Sequence, residues 1–336
     1  MTAPAVSCLL PVRDAASTLG AALRSVLRQT DPDFECLVLD DGSRDASVAI
    51  AQAAAQRDPR IRVHRLERAG IVAALNAGLA LARGPLIARM DADDLMHSER
   101  FALQRAALAR HPDWVGAGTH VRLFPRPDVG DGMRAYEHWL NSLRSPEDVL
   151  RDAFVECPVA HPTWLLQREA IPPGGYRDCE WPEDYDLFLR LLQAGGTWGI
   201  VPRRLLSWRQ GVARLSRADP RYRTAAFTAC RAAFLATGPL AHSAEFVLWG
   251  YGGTGRALCS ALRTHDRRPS HIVELHPRRI GNRIQGALVV APERLPEIAE
   301  GRPIVVSVAG PVPREEIRGE LERLGFREGR DFFVAA

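Results

Sequence analysis

The sequence contains no lysine, so all 44 of its basic residues are arginine. This absence excludes a lysine Schiff base and the lysine-dependent phosphate site of Walker-type proteins. The arginines are spread along the chain and the formal net charge is only +4. Because no basic run could follow a phosphate backbone, we expect no nucleic-acid partner.

Long apolar runs and paired cysteines are absent as well. No stretch approaches the roughly 20 consecutive apolar residues that a transmembrane helix needs. The first residues also lack the basic and apolar regions of a secretory signal. The six cysteines include no CxxC pair, which is typical of reduced cysteines in a cytosolic protein. We therefore expect a cytoplasmic protein without a transmembrane segment; a peripheral position at the inner membrane face stays open.

The chain does contain 46% apolar residues in a length of 336, which is enough for two globular domains. In its first 90 residues, short apolar runs alternate with segments of helical periodicity. The runs predict strands at residues 6–10, 34–39, 61–66 and 86–90, with helices between them. This alternation indicates an α/β fold with a mostly parallel sheet, in which polar residues at the carboxyl ends of the strands share one edge.

Acidic residues follow three of these predicted strands. They are Asp14, next to Arg13, after the first strand; Asp40 and Asp41 after the second; and Asp91 and Asp93 after the fourth. Two carboxylates about 4 Å apart repel by roughly 4 kcal/mol at an effective dielectric constant near 20, so such a cluster favours a bound cation. Oxygen ligands without His or Cys suit Mg²⁺ or Mn²⁺. The alternative is an acidic turn that caps the helix starting near Ser98.

A second acidic group, Glu183 and Asp184, follows Trp181 and Pro182 at the start of a predicted helix. Acidic residues in a first helical turn are favoured by the helix dipole, so simple capping is one interpretation. A carboxylate held as a general base beside an aromatic platform is the other. We predict acceptor-binding roles for Trp181 and for His161, which opens an apolar run at 161–166 that predicts another strand.

The tail has a separate motif. Gly250, Gly252 and Gly255 form a GxGxxG pattern between a predicted strand and a predicted helix, and Glu274 ends the next strand. This arrangement is typical of a site for a nucleotide or NAD(P); the alternative is that the glycines only permit a tight turn. We expect domains at 1–217 and 243–336, joined by a helical linker at 218–242.

Taken together and in order, the motifs resemble those of family-2 glycosyltransferases of the GT-A fold, over about residues 5 to 217. The segments that carry the resemblance are Pro11-Val12-Arg13-Asp14, Asp40-Asp41-Gly42-Ser43-Arg44-Asp45, the segment around Asn76, Asp91-Ala92-Asp93-Asp94 and Glu183-Asp184-Tyr185-Asp186. The tail resembles the small Rossmann-like modules appended to some sugar-modifying enzymes.

The resemblance implies an inverting, metal-dependent transfer of a sugar from a nucleotide diphosphate sugar to a glycan or small-molecule acceptor. Assembly as a homodimer stays open. Asp93 and Asp91 would bind the metal. Asp184, with Glu183 beside it, would deprotonate the acceptor hydroxyl. The predicted donor-binding residues are Pro11, Arg13, Asp14, Asp40, Asp41, Asn76, Asp91, Ala92 and Arg209.

One position departs from the family. Gly211 stands where relatives often have a His, so Arg209 and Arg214 become candidates to meet the diphosphate. This departure keeps open a nucleotide-binding regulatory or scaffold protein with an inactive transferase domain. The tail motif keeps open an NAD(P)-dependent oxidoreductase that uses the C-terminal domain.

Overall fold

The alternation of apolar runs and helical segments builds two sheets in the computed structural model, which describes residues 3–211 and 219–336. Two compact units divide the chain. The first comprises Met1–Val149, Pro158–Cys179 and Asp186–Arg214, and the second comprises Leu150–Cys157, Glu180–Tyr185 and Leu215–Ala336. The second unit therefore takes two short segments from within the region predicted as the first domain.

The sheet of the first unit has the strand order β3-β2-β1-β4-β7-β6-β8-β5 in the described part of the chain. Its strands are β1 (Val6–Val12), β2 (Phe34–Asp40), β3 (Ile61–Arg65), β4 (Leu86–Arg89), β5 (Leu95–Met96), β6 (Trp114–Phe124), β7 (Leu165–Gln167) and β8 (Thr197–Arg209). Strands β1 to β4 run parallel to one another, and β6 is parallel to β8. β7 is antiparallel to β4 and β6, and β5 is antiparallel to β8. Most of the pairings are parallel, as predicted.

Helices connect these strands. They are α1 (Leu19–Leu27), α2 (Ser47–Arg57), α3 (Ile71–Leu81), α4 (Arg100–Arg110), α5 (Asp131–Ser142), α6 (Pro146–Arg151) and α7 (Glu183–Gln193). Every residue of β1 and β2 is buried, and α1 buries the face formed by Leu19, Ala22, Leu23 and Val26. Burial of a Leu or Val side chain contributes about 1.5 to 3 kcal/mol, so this face fixes α1 on the sheet.

Near two prolines, Pro11 and Pro162, the structure differs from the predicted strands. β1 continues past Pro11, because its neighbour β4 pairs only as far as Leu9 and demands no N–H from Pro11. The predicted strand at 161–166 is instead a 3₁₀ turn, His161–Thr163, followed by β7. Pro162 has no N–H for a sheet and suits the first positions of a helical turn.

The second unit contains a smaller sheet of order β11-β12-β10-β9-β13-β14 in its described residues, parallel except for β11. Its strands are β9 (Glu245–Trp249), β10 (Arg268–Val273), β11 (Arg283–Ile284), β12 (Ala287–Val290), β13 (Ile304–Val306) and β14 (Phe332–Val334). Its helices are α8 (Thr224–Thr237), α9 (Gly253–Arg263), α10 (Leu295–Ala299) and α11 (Pro311–Arg323).

Helix α8 lies in the segment predicted as a linker, and it packs into the core of the second unit. Ala232 and Leu235 of α8 belong to the same buried cluster as Phe246 and Leu248 of β9. The guanidinium of Arg231 donates to the carbonyl oxygens of Val155 and Ala335, both at 3.0 Å. These contacts attach the segment Leu150–Cys157 to α8. Among the described residues, no helix combines the length and the apolar character that crossing a membrane requires.

Candidate functional site

Three carboxylates lie together where β4 ends. One ligand oxygen from each of Asp91, Asp93 and Asp94 lies within 4.8 Å of the others. The structure thus brings the two predicted metal ligands together and adds Asp94 to them. Carboxylate oxygens at this spacing fit a hard divalent cation such as Mg²⁺ or Mn²⁺, which would also offset their mutual repulsion. Ala92, between the first two, is buried.

Arg209 fastens this acidic loop to the end of β8. Its backbone N–H donates to Oδ1 of the fully buried Asp94 at 2.7 Å, and its Nε donates to the carbonyl oxygen of Asp93 at 2.7 Å. The guanidinium carbon also lies 4.5 Å from the ring centre of Phe124, a cation–π contact. The predicted donor-binding residue Arg209 therefore holds the loop in this structure. Arg214, the other arginine predicted to meet the diphosphate, lies outside the described residues.

Arg89, the last residue of β4, brings a buried positive charge to the loop. Its Nη1 forms an ion pair with Oδ1 of Asp91, and its side chain is only 8% exposed. Burial opposes the charged guanidinium, but the charge of Asp91 and a hydrogen bond to it outweigh this, so the pKa of Arg89 is raised. Within the described residues, Nε of Arg89 is buried without a hydrogen-bond partner. Asp91 is thus already balanced by a cation of the protein.

The two acidic residues at the end of β2, Asp40 within the strand and Asp41 directly after it, have different partners. Asp41 is occupied, because its Oδ1 accepts the backbone N–H groups of Ala69 and Gly70 at 2.8 and 3.1 Å, ahead of α3. Its Oδ2 lies 3.6 Å from Nη1 of Arg13. Asp40 is 1% exposed, and its Oδ2 has no hydrogen-bond partner among the described residues. A buried carboxylate oxygen of this kind fits a ligand that donates a hydrogen bond.

Three more of the predicted donor-binding residues lie in β1 or in the loop that follows it. Pro11 is buried within β1, whereas Arg13 and Asp14 are exposed. Asp14 adopts a left-handed conformation with φ 47°, and its Oδ1 accepts the backbone N–H of Arg44 at 2.7 Å. Its own N–H donates to Ser43 Oγ at 3.0 Å. Asp14 therefore links the loop after β1 to the loop after β2.

Two residues predicted to contact ligands are bonded to Tyr176. The side-chain amide of Asn76 donates to the carbonyl oxygen of Tyr176 at 2.8 Å and accepts its N–H at 2.9 Å. The ring of His161 is buried against Trp164 and bonded to the Tyr176 hydroxyl at 2.9 Å. The donor contact of Asn76 and the acceptor contact of His161 stay predictions. Burial and the charge of Arg89 hold the pKa of His161 well below its usual range.

The predicted catalytic carboxylates belong to the second unit, at the N-terminus of α7. Glu183 is 2% exposed, and its Oε2 accepts the hydroxyl of Tyr222 at 2.6 Å. Asp184 is half-buried, and its Oδ1 accepts the backbone N–H of Tyr185 at 2.7 Å. Trp181, the predicted aromatic platform, is also half-buried in this unit. Glu183 is thus paired and enclosed, whereas Asp184 is partly accessible.

The glycine motif of the tail forms a tight turn between β9 and α9. Gly250 has φ 93°, and a Cβ on Gly255 would lie 2.2 Å from the carbonyl oxygen of Gly250, so both positions require glycine for packing. A Cβ on Gly252 would meet open space. Oε1 of Glu274 accepts the N–H of Tyr251 at 3.1 Å, which places the predicted ribose-binding carboxylate against the loop.

Sequence reasoning missed two contributors, Arg89 and Tyr222. The signal for Arg89 was present, because an arginine within a buried apolar strand must find a partner. Tyr222 carried no such signal, since its partner Glu183 lies 39 positions away.

The chain matches a family model and relatives that are glycosyltransferases. The model of glycosyl transferase family 2 matches residues 7–171. The amylovoran biosynthesis glycosyltransferase AmsE of Erwinia amylovora is 30% identical over 199 residues, which cover 57% of this chain and 71% of AmsE.

Solved structures agree on the fold. S. aureus TarS 1-349 in complex with UDP-GlcNAc has a TM-score of 0.57 at 16% identity, and the match covers 77% of this chain and 72% of that one. The mannosyltransferase PcManGT from Pyrobaculum calidifontis, in complex with GDP-Man and Mn²⁺, has a TM-score of 0.50 at 19% identity, over 79% and 74% of the chains. The predicted GT-A-like fold with a second, smaller α/β unit is confirmed.

Proposed function

The chain belongs to glycosyl transferase family 2, and from this we propose that it transfers a sugar from a nucleotide diphosphate sugar to an acceptor hydroxyl. The transfer inverts the anomeric carbon and depends on Mg²⁺ or Mn²⁺. The acceptor is a glycan or a small molecule in polysaccharide or glycoconjugate synthesis, a setting that rests on analogy with AmsE.

The acidic loop after β4 carries this proposal. It lies two strands away from β2 in a parallel part of the sheet, so the loop and Asp40 occupy the same edge. Asp40 offers a buried, unpartnered oxygen, and the loop offers a cluster of carboxylates. A ligand with a nucleoside at one end and a charged diphosphate at the other matches this pair of features. Pro11, Arg13 and Asp14 would line the nucleoside end.

Asp93 and Asp91 would hold the divalent cation, which supplies positive charge to the departing diphosphate. The UDP-GlcNAc of the TarS complex and the GDP-Man and Mn²⁺ of the PcManGT complex support this choice of ligands. Arg89 keeps Asp91 in place through its ion pair. Arg209 keeps the loop attached to β8 through Asp93 and Asp94.

The reaction needs one base. The acceptor oxygen forms a bond to the anomeric carbon from the face opposite the diphosphate, while the bond from that carbon to the diphosphate oxygen breaks. The diphosphate leaves with the bonding electrons, and the acceptor proton passes to a carboxylate. We assign that carboxylate to Asp184, because Glu183 is enclosed and already bonded to Tyr222.

A thermal-shift screen of nucleotide sugars, with and without Mn²⁺, tests the proposal. We expect a rise in Tm that needs both the ligand and the metal, and its loss in Asp93→Asn. The exposed Asp113 of the same unit provides the matched control, since Asp113→Asn removes a carboxylate elsewhere. A shift that is independent of metal, or equal in the two variants, would contradict the proposal.

A nucleotide site in the second unit is a separate proposal. Its parallel strands have the spatial order β12-β10-β9-β13-β14. This is the 3-2-1-4-5 order of doubly wound nucleotide-binding sheets. The Gly250 loop follows the first strand, β9, and Glu274 follows the second, β10. Titration of the protein with NAD(P)H, followed by nicotinamide fluorescence, tests this site; no saturable change up to millimolar ligand would exclude a dinucleotide.

A further inference from the structure

Tyr222 contacts one of the predicted catalytic carboxylates, Glu183, within the second unit. It ends the 3₁₀ turn Pro220–Tyr222, just before α8. Asp219 fixes this turn, because its Oδ1 accepts the backbone N–H of Arg221 at 2.9 Å and its Oδ2 pairs with the side chain of Arg221 at 2.7 Å. Since α8 is embedded in the core of the second unit, Tyr222 extends from a well-supported position.

The bond from Tyr222 to Glu183 has the features of a strong contact. The hydroxyl donates to Oε2 at 2.6 Å, and the carboxylate is 2% exposed. Hydrogen bonds from a hydroxyl to an ionised oxygen are short and about twice as strong as neutral ones. Burial, followed by the negative charges of Glu183 and Asp184, raises the pKa of Tyr222. The hydroxyl therefore keeps its proton and remains a donor throughout the neutral range.

Tyr185, two positions after Glu183, is also held by a hydrogen bond. Tyr185 is fully buried, and its hydroxyl donates to the carbonyl oxygen of Ala153 at 2.7 Å. Its ring centre lies 5.9 Å from that of Phe227 on α8. Asp184 thus lies between two side chains that are anchored within the second unit. Of the three consecutive residues, Asp184 is the one that is half-buried rather than enclosed.

We propose that Tyr222 is a positioning residue for the transfer reaction, and that it fixes Asp184 by holding the carboxylate of Glu183. This inference rests on the proposed function, in which Asp184 accepts the acceptor proton. In this proposal Glu183 helps to position Asp184 and does not itself accept the proton.

The variant Tyr222→Phe keeps the ring and removes only the hydroxyl. Because misplacing a catalytic group by about 1 Å can cost about 100-fold in rate, we expect kcat to fall by about 10- to 100-fold. The KM for the nucleotide sugar should stay within about 2-fold, since the donor contacts are unchanged. The rate is measured as release of nucleoside diphosphate, with water in place of the acceptor where none is known.

Ser270→Ala is the matched control, because it removes a partly buried hydroxyl, which donates to the carbonyl oxygen of Phe246, from the same unit. It should leave kcat within about 2-fold of the wild type. Hydrogen–deuterium exchange gives a second readout that does not need turnover. Peptides spanning residues 183–190 should exchange faster in Tyr222→Phe and at the wild-type rate in Ser270→Ala.

Unchanged kcat in Tyr222→Phe, an equal loss in Ser270→Ala, or unchanged exchange at residues 183–190 would overturn the role of Tyr222. A wild-type protein that releases no nucleoside diphosphate from any nucleotide sugar would instead overturn the proposed function, and this role with it. Activity of the wild type, together with a kcat that is about 10- to 100-fold lower in a normally folded Tyr222→Phe, supports both.

Discussion

Arg100, the first residue of α4, is a fully buried cation that holds together the backbone just before the acidic loop. Its Nε donates to Gln104 Oε1 at 2.9 Å, and its Nη2 donates to the carbonyl oxygens of Arg89 and Trp164 at 3.1 and 3.0 Å. Burial lowers the pKa of Arg100, because removing the guanidinium from water disfavours its charged form. We predict that Arg100→Met destabilises the first unit and loosens the end of β4.

The expected loss in the free energy of unfolding can be worked out from the hydrogen-bond acceptors that Arg100→Met leaves without a donor. The carbonyl oxygen of Trp164 keeps a second donor, the N–H of Arg89 at 3.0 Å. The carbonyl oxygen of Arg89 and Oε1 of Gln104 lose the bonds from Arg100, at about 1 to 3 kcal/mol each. Arg100→Met also removes the desolvation penalty of the buried charge, which offsets part of the free energy lost with these hydrogen bonds. The free energy of unfolding should therefore fall by about 3 kcal/mol, which lowers Tm by about 6 to 12 °C in a unit of this size.

Thermal unfolding and Mn²⁺ titration of the purified variant measure the two effects. Arg105→Met is the matched control on the same helix, because Arg105 forms a partly exposed ion pair with Asp31. Exposed pairs contribute about 1 kcal/mol or less. If Arg100→Met lowers Tm no more than Arg105→Met and binds Mn²⁺ like the wild type, the supporting role of Arg100 is refuted.

Two further predictions concern the second unit. Burial raises the pKa of Glu328 to about 7 against the charge of Arg318, so the folded state favours its protonated form. Its contribution to stability is complete below the unfolded pKa of 4.5 and is lost as pH rises through about 7. Unfolding scans between about pH 4.5 and 7 should show this loss in the wild type and not in Glu328→Gln. Separately, Gly255→Ala should lower Tm with or without nucleotide, because its Cβ would lie 2.2 Å from the carbonyl oxygen of Gly250. Gly252→Ala, which meets open space, should leave Tm unchanged and impair only nucleotide binding; equal losses in the two glycine variants would contradict the packing argument.

Local patterns predicted the first half of the large sheet well. The strands begin at Val6, Phe34, Ile61 and Leu86, where the apolar runs begin, because each run is bounded by turn-forming residues and followed by a helical segment. β8 was not predicted, since the exposed pair at positions 203 and 204 follows Pro202 and interrupts the strand pattern. The extent of the second unit was equally invisible, because residues 150–157 join it through partners far along the chain.

Part of the candidate site could likewise be predicted from local sequence, and part could not. The acidic loop could be found because its carboxylates lie within four consecutive residues. The partners that decide how each carboxylate is used are remote, with 115 positions between Asp94 and Arg209 and 39 between Glu183 and Tyr222. Asn76 and His161, which were predicted to contact ligands, are both bonded to Tyr176, 100 and 15 positions away.

Release of nucleoside diphosphate from a panel of nucleotide sugars, with and without Mn²⁺, is the most direct test of the transferase assigned to the acidic loop. We predict release by the wild type only when a divalent cation is present. Asp93→Asn should lower the rate by at least about 100-fold, because it removes a carboxylate from the metal site. Release that persists in excess EDTA, or that is equal in the wild type and Asp93→Asn, would contradict the account.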